Sequence, residues 1–352
     1  MVAMARVAMP DARHKMVYAA EAPALDTPVE VVPGIFWLRL ALPFALDHIN
    51  LWLIDEDDGW TLIDSGLGDL RTRAVFERLW PRWLEPKPLR RVLVTHFHPD
   101  HLGLAGWLTE RSGAPLLMSR TEWLMGRMLA LDDSTAFRDA GEAYDRRAGL
   151  APELIELRRE RGNLYRRNVT LPPASFEVLA DGQELRLGGA AFRVIVGKGH
   201  APEQVTLHSA ERNLLIAADQ LLPKITPVVG VWPTSVEADP LGDFLACLDR
   251  YRHLPEDVLV LPSHGQPYRG LHARLDQLAA HHEDRLRAAH ELCRAPATVA
   301  RAMHRLFPRA AADPSQVGFA IAETLAHLRA LQFRGAVTPH QDPDGTERWQ
   351  SA

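Results

Sequence analysis

The chain has 352 residues, 47% of them hydrophobic and 24% charged, the balance of a soluble globular protein with room for one large domain or about two ordinary ones. Its 40 basic and 45 acidic residues leave a formal net charge of −5, which points neither to nucleic acid nor to an anionic membrane as partner. The two cysteines, Cys247 and Cys293, are far apart with no C-x-x-C, which excludes a disulfide framework and fits a reduced cytoplasm, and no apolar run approaches the ~20 residues of a membrane span.

Residues Met1 to Pro10 carry no continuous apolar core of signal-peptide type, and 1–28 read as a weakly ordered lead-in. Strands are predicted over 35–42, 49–55 and 60–64, with Asp57-Asp58-Gly59 as the last turn, and 72–83 alternates as an amphipathic helix. The strand 91–94 then delivers Thr95-His96-Phe97-His98-Pro99-Asp100-His101, and a helical run over 102–112 follows, with Leu102, Ala105 and Leu108 at helical spacing. Three histidines and an aspartate thus share one strand-to-helix loop, where side chains can converge on a point. Imidazole nitrogen with carboxylate oxygen suits zinc, and also iron or manganese. A lone histidine is usually a surface or satisfied core residue, but four such residues in H-x-H-x-D-H are not read that way.

After a strand at 116–118, residues 120–170 favour helix and carry ten arginines against nine acids. They read either as solvated helix faces or as a helical cap over a site, with Tyr144, Tyr165 or Met128 facing a substrate. Strands resume at 176–179, 184–187 and 192–196 and lead into Gly197-Lys198-Gly199-His200. A hairpin over 205–217 is followed by Asp219, a helix is predicted over 241–253, and the strand 258–261 ends in Pro262-Ser263-His264-Gly265. Asp64, the 96–101 cluster, His200, Asp219 and His264 therefore each follow an apolar strand. One sheet edge, or the common edge of two packed sheets, would bring them together, the usual place for active-site groups on a rigid scaffold.

In that order, L-I-D-S-G, H-x-H-x-D-H, G-H, A-D and S-H-G resemble the metallo-β-lactamase-fold hydrolases, with every ligand position matching the glyoxalase II-like pattern. The resemblance covers about residues 30–270 and implies an αβ/βα four-layer sandwich, here within a catalytic domain at 29–271. It implies a dinuclear site, two zinc ions or else iron or manganese. His96, His98 and His200 would hold one ion, Asp100, His101 and His264 the other, and Asp219 would bridge them. Asp64 matches a carboxylate that supports the metal loop, and a hydroxide bridging the two ions would attack the substrate with Asp100 orienting it. No G-x-S-x-G elbow is present. Gly197-Lys198-Gly199 departs from the commoner T-P-G before His200, which leaves the shape of that loop open.

Residues 272–352 carry predicted helices at 275–292, 297–307 and 316–331 and a small hairpin around Asp342-Pro343-Asp344-Gly345, which resembles a winged-helix tail. Ten arginines against nine acids and no lysine argue against DNA reading and leave packing or dimerisation. Candidate substrate residues are Phe44 on a hairpin that could overhang the metals, Lys224 as an anion holder or a solvated charge, and Trp232 as a pocket wall or core, beside Tyr144 and Tyr165. His48 reads as structural, and His281, His282, His290 and His304 as surface or packing. The favoured function is hydrolysis of a small-molecule thioester, lactone or related ester. The alternatives are a single-stranded RNA nuclease or phosphodiesterase on the same metals, which predicts a basic aromatic groove, and a non-catalytic binding protein.

Overall fold

The structure is a computed structural model and describes residues 15–44 and 46–352. In chain order it contains β1 (Val17–Tyr18), β2 (Val29–Val32), β3 (Ile35–Ala41), β4 (His48–Glu56), β5 (Gly59–Ile63), α1 (Leu70–Leu79), β6 (Leu89–Leu93), α2 (Pro99–Leu102), α3 (Ala105–Ser112) and β7 (Leu116–Met118). The inserted helices α4 (Arg120–Leu131), α5 (Thr135–Arg147) and α6 (Pro152–Arg161) precede β8 (Glu177–Val178), β9 (Glu184–Leu187), β10 (Ala190–Gly197), β11 (Gln204–Ser209) and β12 (Leu214–Ala218). Then come α7 (Pro240–Tyr251), β13 (Leu259–Pro262), β14 (Tyr268–Arg269), α8 (Leu271–Leu292), β15 (Ala297–Thr298), α9 (Val299–Leu306), α10 (Pro308–Ala311), α11 (Val317–Phe333), β16 (Val337–Gln341) and β17 (Glu347–Ser351).

Two seven-stranded sheets, ordered β2-β3-β4-β5-β6-β7-β8 and β1-β14-β13-β12-β11-β10-β9, lie face to face. Period-two alternation explains why their strands are apolar almost throughout. In β3 and β4, Ile35, Trp37, Trp52 and Ile54 meet Phe192, Val194, Leu207 and Ile216 of the second sheet. Leu38, Leu51 and Leu53, on the opposite face, pack under Val75, Phe76 and Leu108 of α1 and α3. On the second sheet Leu215, Ala217 and Val260 pack under Phe244, Leu248 and Leu275. With both faces of each sheet covered, alternation of buried with polar residues gives way to continuous apolar runs. The layers are helix, sheet, sheet, helix.

Strand direction places the candidate ligands. β5 runs parallel to β6, and β12 parallel to β13. β10 is two antiparallel steps from β12 and so shares its direction. All five strands point their C-terminal ends at one edge of the sandwich, and Asp64, the 96–101 loop, His200, Asp219 and His264 hang from those ends.

Two expectations need correction. The lead-in is ordered from residue 17, because Val17 and Tyr18 pair with Arg269 and Tyr268 at the edge of the second sheet; its first fourteen residues lie outside the described ones. The run 102–112 is two helices. A side chain on Gly103 would collide with Pro99 O, Gly68 N and Gly66 O, and the chain kinks there to let these backbones meet. The insertion's helix faces are largely solvated, as one of the two readings has it, with Glu122, Gly126, Tyr144, Asp145 and Ile155 buried; α5 also joins the core beneath the C-terminal region, where Ala300 N donates to Ala148 O at 2.9 Å and Arg147 pairs with Glu347 at 2.9 Å.

The C-terminal residues form α8 to α11 and a three-stranded sheet ordered β15-β17-β16. Its core, including Trp349, Met303 and Leu325, is continuous with the outer face of the second sheet. Truncation after residue 271 therefore strips most of one helical layer from the sandwich, leaving α7 on that face. The expected outcome is loss of cooperative urea unfolding and aggregation of the fragment; a cooperatively folded 1–271 fragment would show that the layer is dispensable.

Candidate metal centre

Seven donor groups meet at the sheet edge in two overlapping sets. His96 Nε2 lies 3.0 Å from His98 Nδ1 and 3.2 Å from His200 Nε2, and Asp219 Oδ2 lies 3.4 Å from His200 Nε2. On the other side, Asp219 Oδ1 lies 3.5 Å from His101 Nε2 and 3.3 Å from His264 Nε2, with Asp100 Oδ2 3.4 Å from His264 Nε2 and 3.7 Å from His101 Nε2. The two oxygens of Asp219 thus serve different sets. Three groupings bring one candidate ligand atom from each residue within 4.8 Å of the others: His96 with His98 and His200, Asp100 with His101 and His264, and His96 with His101 and Asp219.

The far side of four of the rings is fixed by a hydrogen-bond partner, which sets the tautomer. His101 Nδ1 donates to Asp64 Oδ2 at 2.8 Å, and Asp64 also accepts from Thr95 N at 2.8 Å and Thr95 Oγ1 at 2.9 Å. His96 Nδ1 lies 3.0 Å from Thr95 Oγ1, which donates its own proton to Asp64. His200 Nδ1 donates to Val228 O and His264 Nδ1 to His48 O, each at 2.7 Å. Each of these rings therefore turns its Nε2 to the centre. Asp64 and Ala218, the residues that turn the chain at two of the strand ends, have φ of 61° and 48°, a left-handed conformation uncommon for residues with a side chain and often found at functional sites.

The donor set has the chemistry of a cation site. His101 Nε2, His264 Nε2 and Asp219 Oδ1 are buried and lack a hydrogen-bond partner among the described residues. Such atoms carry a cost unless something else satisfies them, and a divalent cation does. Burial, with neighbouring imidazoles, pushes His96 well down and His98 to about 3, so both are neutral and ready to ligate. Burial also opposes charge on His264 and His101, but carboxylates outweigh it: Asp219 and Asp100 push His264 up to about 10, and Asp64, Asp100 and Asp219 push His101 well up. Burial likewise opposes charge on Asp100, yet His101 and His264 hold it down at about 2.

The candidate substrate residues are placed less uniformly. Tyr144 is a correction: it is buried in the C-terminal core and its hydroxyl donates to Val231 O at 2.7 Å, so it holds the loop that orients His200 and faces no substrate. Tyr165 donates to Phe97 O at 2.5 Å, inside the H-x-H loop. Phe44 is half exposed on the β3–β4 hairpin, next to Ala45, which lies outside the described residues. Lys224 is exposed and Trp232 half-buried, edge to face with Phe319 at 5.9 Å between ring centres.

Sequence reading passed over several supporting residues. Asn50 in β4 donates to Pro262 O at 2.9 Å and Gly265 O at 2.8 Å, bracketing His264. Ser65 donates to His101 O at 2.6 Å. Glu122 in α4 accepts from Phe97 N at 3.0 Å and Glu203 N at 2.6 Å, and burial pushes its carboxyl up to about 7. The one available signal for Glu122 was an acid one position before the apolar run Trp123-Leu124-Met125, just after a buried strand.

The chain is similar to known proteins in sequence and in fold. Residues 45–264 match the metallo-beta-lactamase superfamily domain, and residues 286–352 match the metallo-beta-lactamase-like C-terminal domain. A beta-lactamase domain protein from Burkholderia ambifaria superposes with a TM-score of 0.88 at 38% identity, covering 96% of this chain and 98% of that one. A metallo-beta-lactamase family protein from Thermus thermophilus superposes with a TM-score of 0.78 at 31% identity, covering 92% of this chain and all (100%) of that one. A probable metallo-hydrolase of Bacillus subtilis is 24% identical over 316 residues, 86% of this chain and 93% of the relative. A linear primary-alkylsulfatase of a Pseudomonas species is 25% identical over 234 residues, 62% of this chain, and the match spans only 42% of that enzyme's length.

The histidine shifts set the pH dependence of ion binding. In the metal-free centre His264, pushed up to about 10, holds a proton at neutral pH on the nitrogen an ion would take, and His101 does the same. Uptake must displace those protons, so affinity falls as pH is lowered. Zinc added to metal-free protein in weak buffer near neutral pH is expected to release roughly one to two protons per chain, read with an indicator dye. Uptake without proton release would contradict the assignment of these rings.

Proposed function

We propose that this chain, which belongs to the metallo-β-lactamase superfamily of metal-dependent hydrolases, is a dinuclear zinc hydrolase of a small ester-type substrate: a thioester, lactone or related ester. The observation that carries the reading is the division of Asp219 between two donor sets, with Oδ1 toward His101 and His264 and Oδ2 toward His200. His96, His98 and His200 would hold one ion, Asp100, His101 and His264 the second, and Asp219 both. Iron or manganese suits the same nitrogen and oxygen donors.

Two bound divalent ions would supply a hydroxide at neutral pH and an electrophile for the scissile carbonyl oxygen. The chain does the rest. Asp64, through its bonds to Thr95 and His101, keeps Nε2 of His101 and His96 pointed inward. Asp100 keeps 18% of its side chain exposed against 9% for Asp219, and so stands nearer solvent, placed to orient the attacking water through its carboxylate. Phe44, Lys224 and Trp232 are the side chains we assign to contact the rest of the substrate.

The same reading takes the C-terminal helices and sheet as a winged-helix-like packing layer, with no DNA partner, and leaves its exposed Phe333 for a homodimer contact. Cys247 and Cys293 are both free and buried, consistent with a cytoplasmic setting. No helix among the described residues is long and apolar enough to cross a membrane, and a membrane partner is not proposed. Near balance of charge in the C-terminal region speaks against the single-stranded RNA nuclease.

The test is elemental analysis of protein purified without added metal, beside an assay panel. The panel holds a thioester, an acyl-homoserine-type lactone, an alkyl sulfate, a chromogenic cephalosporin, bis-p-nitrophenyl phosphate and a short single-stranded RNA. Two zinc per chain with thioester or lactone turnover is the expected result; a single iron per chain, or turnover of RNA alone, would contradict it. Asp64→Asn, which keeps the shape but offers His101 a poorer acceptor, is expected to lower metal affinity or turnover by about 10–100-fold, measured by chelator competition and initial rates. An unchanged variant would remove Asp64 from the account.

A further inference from the structure

The insertion between β7 and β8 does one thing that neither a solvated helix nor a lid would do. Glu122, at the third position of α4, is fully buried, and its two carboxylate oxygens accept from two backbone N–H groups far apart in sequence. Oε2 accepts from Phe97 N at 3.0 Å, on the residue between His96 and His98. Oε1 accepts from Glu203 N at 2.6 Å, three residues after His200. One side chain thus ties together the two loops that bring His96, His98 and His200.

The neighbouring groups reinforce the tie. Glu203 returns the bond by accepting from Thr121 N at 3.2 Å, and Ser119 Oγ donates to Glu203 O at 2.8 Å. Tyr165 donates to Phe97 O at 2.5 Å, so both sides of the Phe97 residue are held from the insertion. Gly126 admits this approach, since a Cβ there would meet Leu102 at 2.3 Å and Tyr165 Oη at 3.2 Å. His101 and His264, by contrast, are fixed from Asp64, Ser65, His48 and Asn50, none of which belongs to the insertion.

We infer that Glu122 is a positioning residue for one half of the metal centre: it sets the spacing of His96 and His98 against His200 and leaves the Asp100–His101–His264 half to other supports. The inference rests on the dinuclear reading above. Chemically it requires a carboxylate, because two buried N–H groups need two acceptor atoms. A glutamine offers one acceptor and turns an NH2 against the other N–H.

The experiment breaks each half in turn. His264→Ala breaks the Asp100–His101–His264 set and keeps His96, His98 and His200 together with Asp219; His98→Ala breaks the His96–His98–His200 set and keeps Asp100, His101 and His264 together with Asp219. Glu122→Gln is introduced into both, and zinc affinity of the full-length metal-free proteins is measured by chelator competition. Glu122→Gln is expected to weaken zinc by about tenfold or more beside His264→Ala, and by less than about twofold beside His98→Ala. Equal weakening in both backgrounds, or none in either, overturns the assignment. Metal-free thermal unfolding shows whether Glu122→Gln still folds; if it does not, Tyr165→Phe decides by the same comparison, expected in the same direction and overturned by the same pattern. Unsubstituted protein that takes up fewer than two zinc ions would instead sink the dinuclear reading, and the inference with it.

Discussion

The structure depends on packing two carboxylates and five imidazoles of one cluster against each other, five of the seven buried. His264 and His101 hold Asp219 and Asp100 well down against burial, and the carboxylates in turn push the histidines up, Asp219 and Asp100 for His264 and Asp64 ahead of both for His101. Three buried atoms at the middle still lack partners among the described residues. A site like this is costly to keep empty and well matched to divalent cations. Everything around it, from the five strand ends to the bonds on the outer ring nitrogens, holds these seven side chains at one point.

That demand explains the layers outside the sheets. The 223–233 loop lends its Val228 carbonyl to His200, and the same loop is held by Tyr144 from the insertion, by Ala322 O of α11 accepting from Val231 N at 3.1 Å, and by Arg274 of α8, which donates to Ile225 O at 2.7 Å. Arg274 is buried to do so and also reaches Leu222 O at 2.6 Å. The C-terminal layer therefore reaches His200 through a backbone carbonyl while standing one layer away. A core continuous between that layer and the second sheet makes the loop's position a property of the whole fold.

How much of this was legible in the sequence follows from how each residue acts. His96, His98, Asp100 and His101 are visible because they crowd one loop, and His200, Asp219 and His264 because each ends an apolar run. Asp64 was readable from its strand-end position and from the family resemblance. Glu122, Asn50, Ser65 and Tyr165 were not legible as supports, because they act through the backbone of residues 25 to 215 positions away, and a backbone partner leaves no trace in residue identity. Tyr144 was misplaced for a related reason: an aromatic on a helix reads the same whether it faces a cleft or a neighbouring layer. β1 and β14 escaped notice because two residues are too few to show a period.

The most direct test of the central claim is anomalous scattering from crystals of the zinc-loaded protein. The account requires two zinc peaks, one among His96, His98 and His200 and one among Asp100, His101 and His264, with Asp219 between them. A single peak, or a second peak away from Asp219, would contradict a centre organised around that carboxylate.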